Sequence, residues 1–185
     1  RWLRNPGFSE HSYRGLSVDG PNNELLLLNI YMYDETHWSF LDRKGRWFRT
    51  GKLVFPAADY ADPYPTRIRL CYPEIAMRNR AVHYLGVSDI MEPVKAWADY
   101  KLELTKQHWD YEFRRLFYTW TPDITRQDFF PFIEIASREK TGGHCWNMDT
   151  WLDKEGAAHL LWVEESLDTR LRPKFIPAET PWTRS

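Results

Sequence analysis

The sequence predicts an all-β protein made of four-stranded antiparallel units, arranged as part of a β-propeller. Three observations predict it. One hairpin pattern occurs three times, and internal repeats of this length mark stacked architectures. Each copy breaks its alternation at a polar turn rich in Asp, Asn and Gly, which is hairpin chemistry. Further apolar-alternating segments follow the hairpins, so a unit counts about four strands, as a propeller blade does. The competing fold is a β-sandwich, which also shows many short strands between turns.

The first copy is "YRGLSVDGPNNELLLLNIY", from Tyr13. The second is "YPEIAMRNRAVHYLGVSDI", from Tyr72, and the third is "CWNMDTWLDKEGAAHLLWVEE", from Cys145. Leu16 and Val18 in the first correspond to Ile75 and Met77, and then to Thr150 and Leu152. After the first hairpin come "THWSFLD", the turn Asp42 to Gly45, and "RWFRTGKLVF". After the second come "EFRRLFYTWT", "PDITRQD" and "PFIEIASRE". The organisation is therefore a blade over 11–56, a blade over 66–138 with an insertion at 91–110, and a partial blade over 142–176. The insertion predicts a short helix from Glu92 to Lys101, with Pro93 in its first turn, where its missing N–H costs nothing. The tail "LRPKFIPAETPWTRS" carries three prolines and reads as an extended loop. A closed propeller needs at least four blades. The expectation is thus a single domain lacking blades that a longer parent chain supplies.

The chain has 185 residues, 25 Lys plus Arg and 26 Asp plus Glu. That balance argues against a nucleic-acid partner, which would call for a basic patch or stripe. No apolar run approaches the ~18 residues that cross a membrane as a helix, so no membrane partner is expected. Ten each of Trp, Tyr and Phe suit ring stacking on sugars as well as core packing. Cys71 and Cys145 are too few for a disulfide framework and lack a CxxC spacing. Buried free thiols are the favoured reading, and a pair between them stays open. No HExxH and no EF-hand loop occurs. No metal site and no cofactor is therefore assigned, with a structural Ca²⁺ or Zn²⁺ left open.

In a propeller the first strand of each blade lines the channel, and the segments leading into it are natural ligand positions. Here these are "EHSYR" (Glu10 to Arg14), "RIRLCYPE" (Arg67 to Glu74) and "GGHCWNMD" (Gly142 to Asp149). His11 and His144 both precede a first strand and are candidates for acid–base chemistry. Trp146 and Trp151 flank His144 and Asp149 and are the best sugar-stacking candidates. His83 and His159 share one repeat position, which points to a packing or hydrogen-bonding role rather than catalysis. Asp19, Asp42 and Asp153 read as turn residues. Trp38, Trp47, Trp120 and Trp162 read as packing between blades, while Trp97 and Trp109 flank the insertion. Arg114 and Arg115 fall on opposite faces of a strand, where a solvated edge is the plainer reading.

The stretches "EHSYRGLSVDGPNNELLLL" and "GGHCWNMDTWLDKEGAAHLLW" resemble the BNR-repeat, sialidase-like propellers, closest to the branch of ulvan-type polysaccharide lyases. The shared features are Gly143-His144 leading into an inner strand, the Asp153 to Gly156 turn, and His159 on the strand that follows. "SFLDRKGRW" keeps the Ser, Asp, Gly and Trp of the sialidase Asp-box at altered spacing, and in "TRIRL" Arg69 stands where the arginine motif has proline. The resemblance implies a polysaccharide or oligosaccharide ligand, an acidic glycan, and a secreted or periplasmic location. For a lyase it implies His144 or His11 as base or acid, Tyr13 as partner and Arg14 on the uronate carboxylate. For a hydrolase it implies an arginine cluster drawn from Arg14, Arg67 and Arg69, with Tyr13 or Tyr72 as nucleophile. Trp146, Trp151, Asp149, Tyr72 and Arg69 are the implied substrate contacts. A non-catalytic glycan-binding or scaffold propeller is the alternative, since one fold hosts both.

Overall fold

The computed structural model describes residues 13–31, 34–61, 65–108 and 111–185. His11 and Trp109 lie outside the described residues. The chain is all-β in its main architecture, with three antiparallel sheets in succession, none of them closed. The first is a four-stranded meander of β1 (Arg14–Asp19), β2 (Glu24–Tyr31), β3 (Glu35–Leu41) and β4 (Trp47–Val54). The second joins β5 (Leu70–Arg78), β6 (Ala81–Ser88), β9 (Arg115–Thr121) and β10 (Ile133–Ser137) in that spatial order. Between β6 and β9 runs the insertion: β7 (Ile90–Met91), α1 (Lys95–Thr105) and β8 (Tyr111–Glu112), with β7 paired to β8. The third holds β11 (Gly142–Leu152), β12 (Ala158–Leu167) and β13 (Thr183–Arg184).

The turns form for the reasons their residues suggest. Asp42 accepts the backbone N–H groups of Lys44 and Arg46 through Oδ1. Gly45 supplies the positive φ (69°) that the same turn needs, a conformation that costs glycine nothing. Asp153 caps the β11–β12 turn likewise, accepting from Ala157 N at 2.8 Å.

The sheets stack face to face, and each contact holds a core. The face of sheet one carrying Leu26, Leu28, Trp38, Phe40 and Leu53 packs on Met77, Val82, Tyr84 and Phe117 of sheet two. The opposite face of sheet two, with Leu85, Val87 and Leu116, packs on Cys145, Leu160 and Trp162 of sheet three. The alternation of side chains along a strand produces this two-sided burial. We call the face toward the following sheet the front and the face toward the preceding sheet the rear. The edge strands β1, β5 and β11 lie side by side, β1 beside β5 and β5 beside β11.

Three expectations change. The helix begins at Lys95 rather than Glu92, with Val94 as its N-cap. Glu92 is instead drawn into a buried ion cluster and accepts Val94 N–H at 3.1 Å. The tail is not an extended loop. It forms α2 (Arg172–Phe175), then adds β13 to the third sheet. Trp182 enables this by donating its N–H to Ser166 Oγ, while its ring covers Arg138. Arg114 and Arg115 are not on a solvated edge. Both are buried and paired with carboxylates. His83 and His159 both take hydrogen-bonding positions, as their shared repeat position suggested, but His159 is exposed against Asp153, whereas His83 is buried beside Tyr118 and Trp120. The difference follows from position, because the front face of sheet two is covered at His83, whereas that of sheet three is open at His159. Cys71 and Cys145 are free and buried. Among the described residues no helix is long and apolar enough to cross a membrane.

Candidate functional site

Three places collect the residues expected to act on a ligand. The first is where β1 and β5 begin. A bulge between Cys71 and Glu74 interrupts the β5–β6 ladder. It holds Tyr72 at a φ of 50°, an uncommon conformation for a bulky residue and one that must be enforced by its surroundings. The enforcement is visible. Asn147 Nδ2 donates to the Tyr72 carbonyl, and the Tyr72 ring sits 4.6 Å from Tyr13 and 5.8 Å from Phe113. Tyr72 is exposed. Tyr13 is partly buried, and burial raises its phenol pKa well above the usual value, helped by the bond to Tyr72. Beneath them Arg69 is buried against Asp89 at 2.6 Å, with Tyr111 over its guanidinium. Cys71 Sγ donates to the same Asp89 carboxylate at 3.0 Å. Arg69 is therefore an internal ion-pair partner at this place.

The second place surrounds His144, on the front face of β11. Its ring stacks on Trp146, 5.2 Å away and 12° from parallel. Its Nδ1 is buried with no hydrogen-bond partner. Burial lowers the His144 pKa, while the Asp168 charge pulls it back up. Around it lies a buried ionic cluster that the sequence reading missed. Lys101 of α1 bonds Glu92 at 2.7 Å, bonds Glu112, and lies 3.8 Å from Asp168. Arg114 pairs with Glu92 through both terminal nitrogens and lies 3.3 Å from Glu112. Arg170 pairs with Asp168 at 2.6 Å. Trp97 covers the Arg114 guanidinium at 5.0 Å, so it seals this cluster. One ligand atom each from Glu112, His144 and Asp168 lie within 4.8 Å of one another, a spacing that suits a metal ion. However, Lys101 already supplies the cation there. Three carboxylates face three permanent cations, so a divalent ion would have to displace the ammonium.

Charges this deep are expensive unless paired, and Glu112 shows the strain. Burial pushes its carboxyl up to about 7, against the pull of Arg114 and Lys101. The folded state therefore binds this proton more tightly than the unfolded chain. The associated stability is complete below the ordinary Glu range and is lost as pH rises through 7. That is worth about 3 kcal/mol by proton linkage. Glu92 and Asp168 are shifted the other way, so their contribution is lost toward acid. We expect the urea midpoint to fall between pH 5 and pH 8 and Glu112→Gln to flatten that fall. An unchanged slope in the variant would assign the pH dependence elsewhere.

The third place is at the turn ends of the first strands. A cleft of about 300 Å³ opens there between all three sheets. It is lined by Ser17 and Asp19 of β1, Met77 and Arg78 of β5, and Thr150 and Trp151 of β11. Trp151 is 58% exposed, with the His159 ring 5.0 Å away. Thr150 Oγ1 is buried without a hydrogen-bond partner. Among the described residues no carboxylate forms an ion pair with Arg78. Asp19 is occupied, accepting Asn79 N–H at 2.6 Å and Asn22 Nδ2 at 2.8 Å.

The sequence candidates therefore separate. Tyr13 meets Tyr72. His144 meets Trp146 and the ionic cluster. Arg14 is exposed on the rear face of sheet one, away from both. Asp149 is exposed on β11 and raises the pKa of Glu74, after burial the second cause of that shift. Trp151 alone lines the three-sheet cleft. Arg78 was overlooked because it sits in a polar turn, "RNR", that reads as ordinary hairpin chemistry. Comparison of the chain with protein-family models, with curated proteins and with solved structures found no match.

Proposed function

We propose that the chain is part of a β-propeller of the BNR, sialidase-like kind. It binds an acidic polysaccharide or oligosaccharide, outside the cytoplasm, in the cleft between its first strands. The side-by-side placement of β1, β5 and β11 supports the propeller reading, because blades bring their first strands together around one axis. The observation that carries the ligand reading is the cleft itself. An exposed indole and a guanidinium line one concave polar space, with Ser17, Asn79 and Thr150 around them. An indole face stacks on a sugar ring, and a guanidinium matches a carboxylate in two parallel hydrogen bonds. Tyr72, held exposed at a strained bulge, offers a second ring surface at the other end of the same strands. Binding is favoured over cleavage because Glu112, whose carboxyl burial pushes up to about 7, is sealed from solvent. An acid–base group must reach the proton it moves.

The test is titration with oligosaccharides of equal length, one uronate-containing and one neutral, followed by tryptophan fluorescence and calorimetry. The acidic ligand is expected to bind. Trp151→Ala should weaken it by about tenfold or more, the scale of one lost stacking contact. Arg78→Gln should remove the preference for the acidic ligand while sparing the neutral one. If neither class binds at millimolar concentration, or both variants bind as the parent does, the proposal fails.

A further inference from the structure

A second concave site lies where the turns of sheets one and two meet. It encloses about 210 Å³, with the buried Phe40 at its base and Phe48 at its rim. The β3–β4 turn supplies Arg43, Lys44 and Arg46 to its lining, and the β5–β6 turn supplies Arg80. Four cations from two sheets thus converge on one small space, in a chain whose formal net charge is only -1. A concave site lined by one sign of charge concentrates ions of the other sign.

Two of the four are held in place and two are uncommitted. Arg46 grips Asp42 through Nε and Nη2, at 2.9 and 2.6 Å. Arg80 grips the buried Glu24 in the same way, at 3.1 and 2.9 Å. Its backbone takes a φ of 70°, in a two-residue turn where glycine is the easier residue. Ile124 N–H donates to its carbonyl at 2.9 Å and pins that turn. Each guanidinium is therefore fixed by a carboxylate on one side, and its Nη1 makes no hydrogen bond among the described residues. Arg43 and Lys44 form no ion pair among the described residues. Asp42 and Glu24 each answer one guanidinium, and the nearby Asp123 is taken up by Arg126 at 3.3 Å. The charges of Arg43 and Lys44 are left over. A lone carboxylate would answer one of them, whereas a dianion balances both.

We propose that this pocket binds a phosphate monoester group. Such a group carries close to two negative charges at neutral pH and three strong acceptor oxygens. Its tetrahedral shape suits donors that arrive from two sheets and do not share one plane, and the guanidinium fork matches its oxygens in pairs. The pocket is smaller than the ~300–1,000 Å³ of sites that enclose a whole small molecule. It therefore takes the charged group, and the rest of the ligand lies at the rim, where Phe48 is 54% exposed and offers a ring surface. The assignment rests on this cation cluster and not on the glycan reading, so either can fail alone.

Calorimetric titration of the whole chain with inorganic phosphate, a hexose 6-phosphate and a neutral peptide carrying one phosphoserine tests it, at constant ionic strength. All three are expected to bind, and the esters more tightly than inorganic phosphate. The tighter ester tells whether a sugar or a protein side chain carries the group. Acetate at the same ionic strength should not displace them. The double variant Arg43→Gln/Lys44→Gln should weaken all three by about tenfold or more, the scale of one lost hydrogen bond to a charged group. Both side chains are exposed, so circular dichroism and the urea midpoint should match the parent. Lys95→Gln/Lys154→Gln removes the same charge far from the pocket and should leave binding unchanged. Phe48→Ala should weaken the esters and spare inorganic phosphate. No binding of any phosphate at millimolar concentration, displacement by acetate, or equal losses in the two double variants overturns the proposal.

Discussion

Lys101→Met is expected to lower stability by about 3–5 kcal/mol at pH 7.5, the cost of leaving a buried charge without its partner. Methionine keeps the length of the stem, so packing of α1 changes little. What disappears is the ammonium that serves Glu92 and Glu112, both almost wholly buried. Arg114 then faces both carboxylates, and its geometry already commits both terminal nitrogens to Glu92. Glu112 is left to take a proton or to force the β7–α1–β8 insertion open. Two further measurements separate these outcomes. The double variant Lys101→Met/Glu112→Gln should recover most of the loss, because the orphaned charge is gone. The single variant should also lose less stability at pH 5 than at pH 7.5, because the Glu112 carboxyl, held at about 7, is then protonated. A loss below about 1 kcal/mol at pH 7.5 would mean the cluster behaves as a surface ion pair.

Gly143→Ala is expected to cost about 3 kcal/mol, the upper part of the range for forcing atoms into packed space. The reason is backbone rather than side chain. A methyl group at Gly143 would collide with the carbonyl oxygen of Glu165 and stand 2.7 Å and 2.8 Å from backbone atoms of Ser166 and Leu167. Those atoms belong to β12, which pairs with β11 through the whole hairpin. They can yield only if the two strands separate locally. Gly20→Ala is the control, since nothing lies within 4 Å of a methyl group there. Unfolding in urea should show a large loss for the first and little change for the second. Equal effects would mean that chain flexibility, and not close approach, decides both. The glycine before His144, which resembled part of a ligand motif, thus has a structural role in letting two strands meet.

The strands and turns were legible because their signals are local. Alternation in "GLSVDG" and "LLLLN", the Asp42 to Gly45 turn and the Asp153 turn each act within a few residues, through side-chain direction and self-capping. The repeat was legible for the same reason, and its three hairpins are β1–β2, β5–β6 and β11–β12. The candidate site was legible only in pieces. Trp151 was singled out, but Arg78, its neighbour in the cleft, comes from a turn 73 positions earlier, and no local signal links the two. The ionic cluster was invisible because Glu92, Lys101, Glu112 and Asp168 are each unremarkable charged residues in sequence. Only the docking of the insertion on β11 takes them out of water, and with that comes every shift in their acidity.

Sequence alone determined the local elements of this protein: antiparallel hairpins, a threefold pattern, and which face of each strand is apolar. Tertiary structure decided what those faces meet. It buried Met77 and exposed Val18, although the repeat makes them equivalent, because burial depends on whether another sheet lies opposite. It likewise separated Tyr13, Arg14 and His144, three residues that looked alike at the heads of their strands. Proximity between strands is set by stacking, a property of pairs of sheets that no single strand encodes.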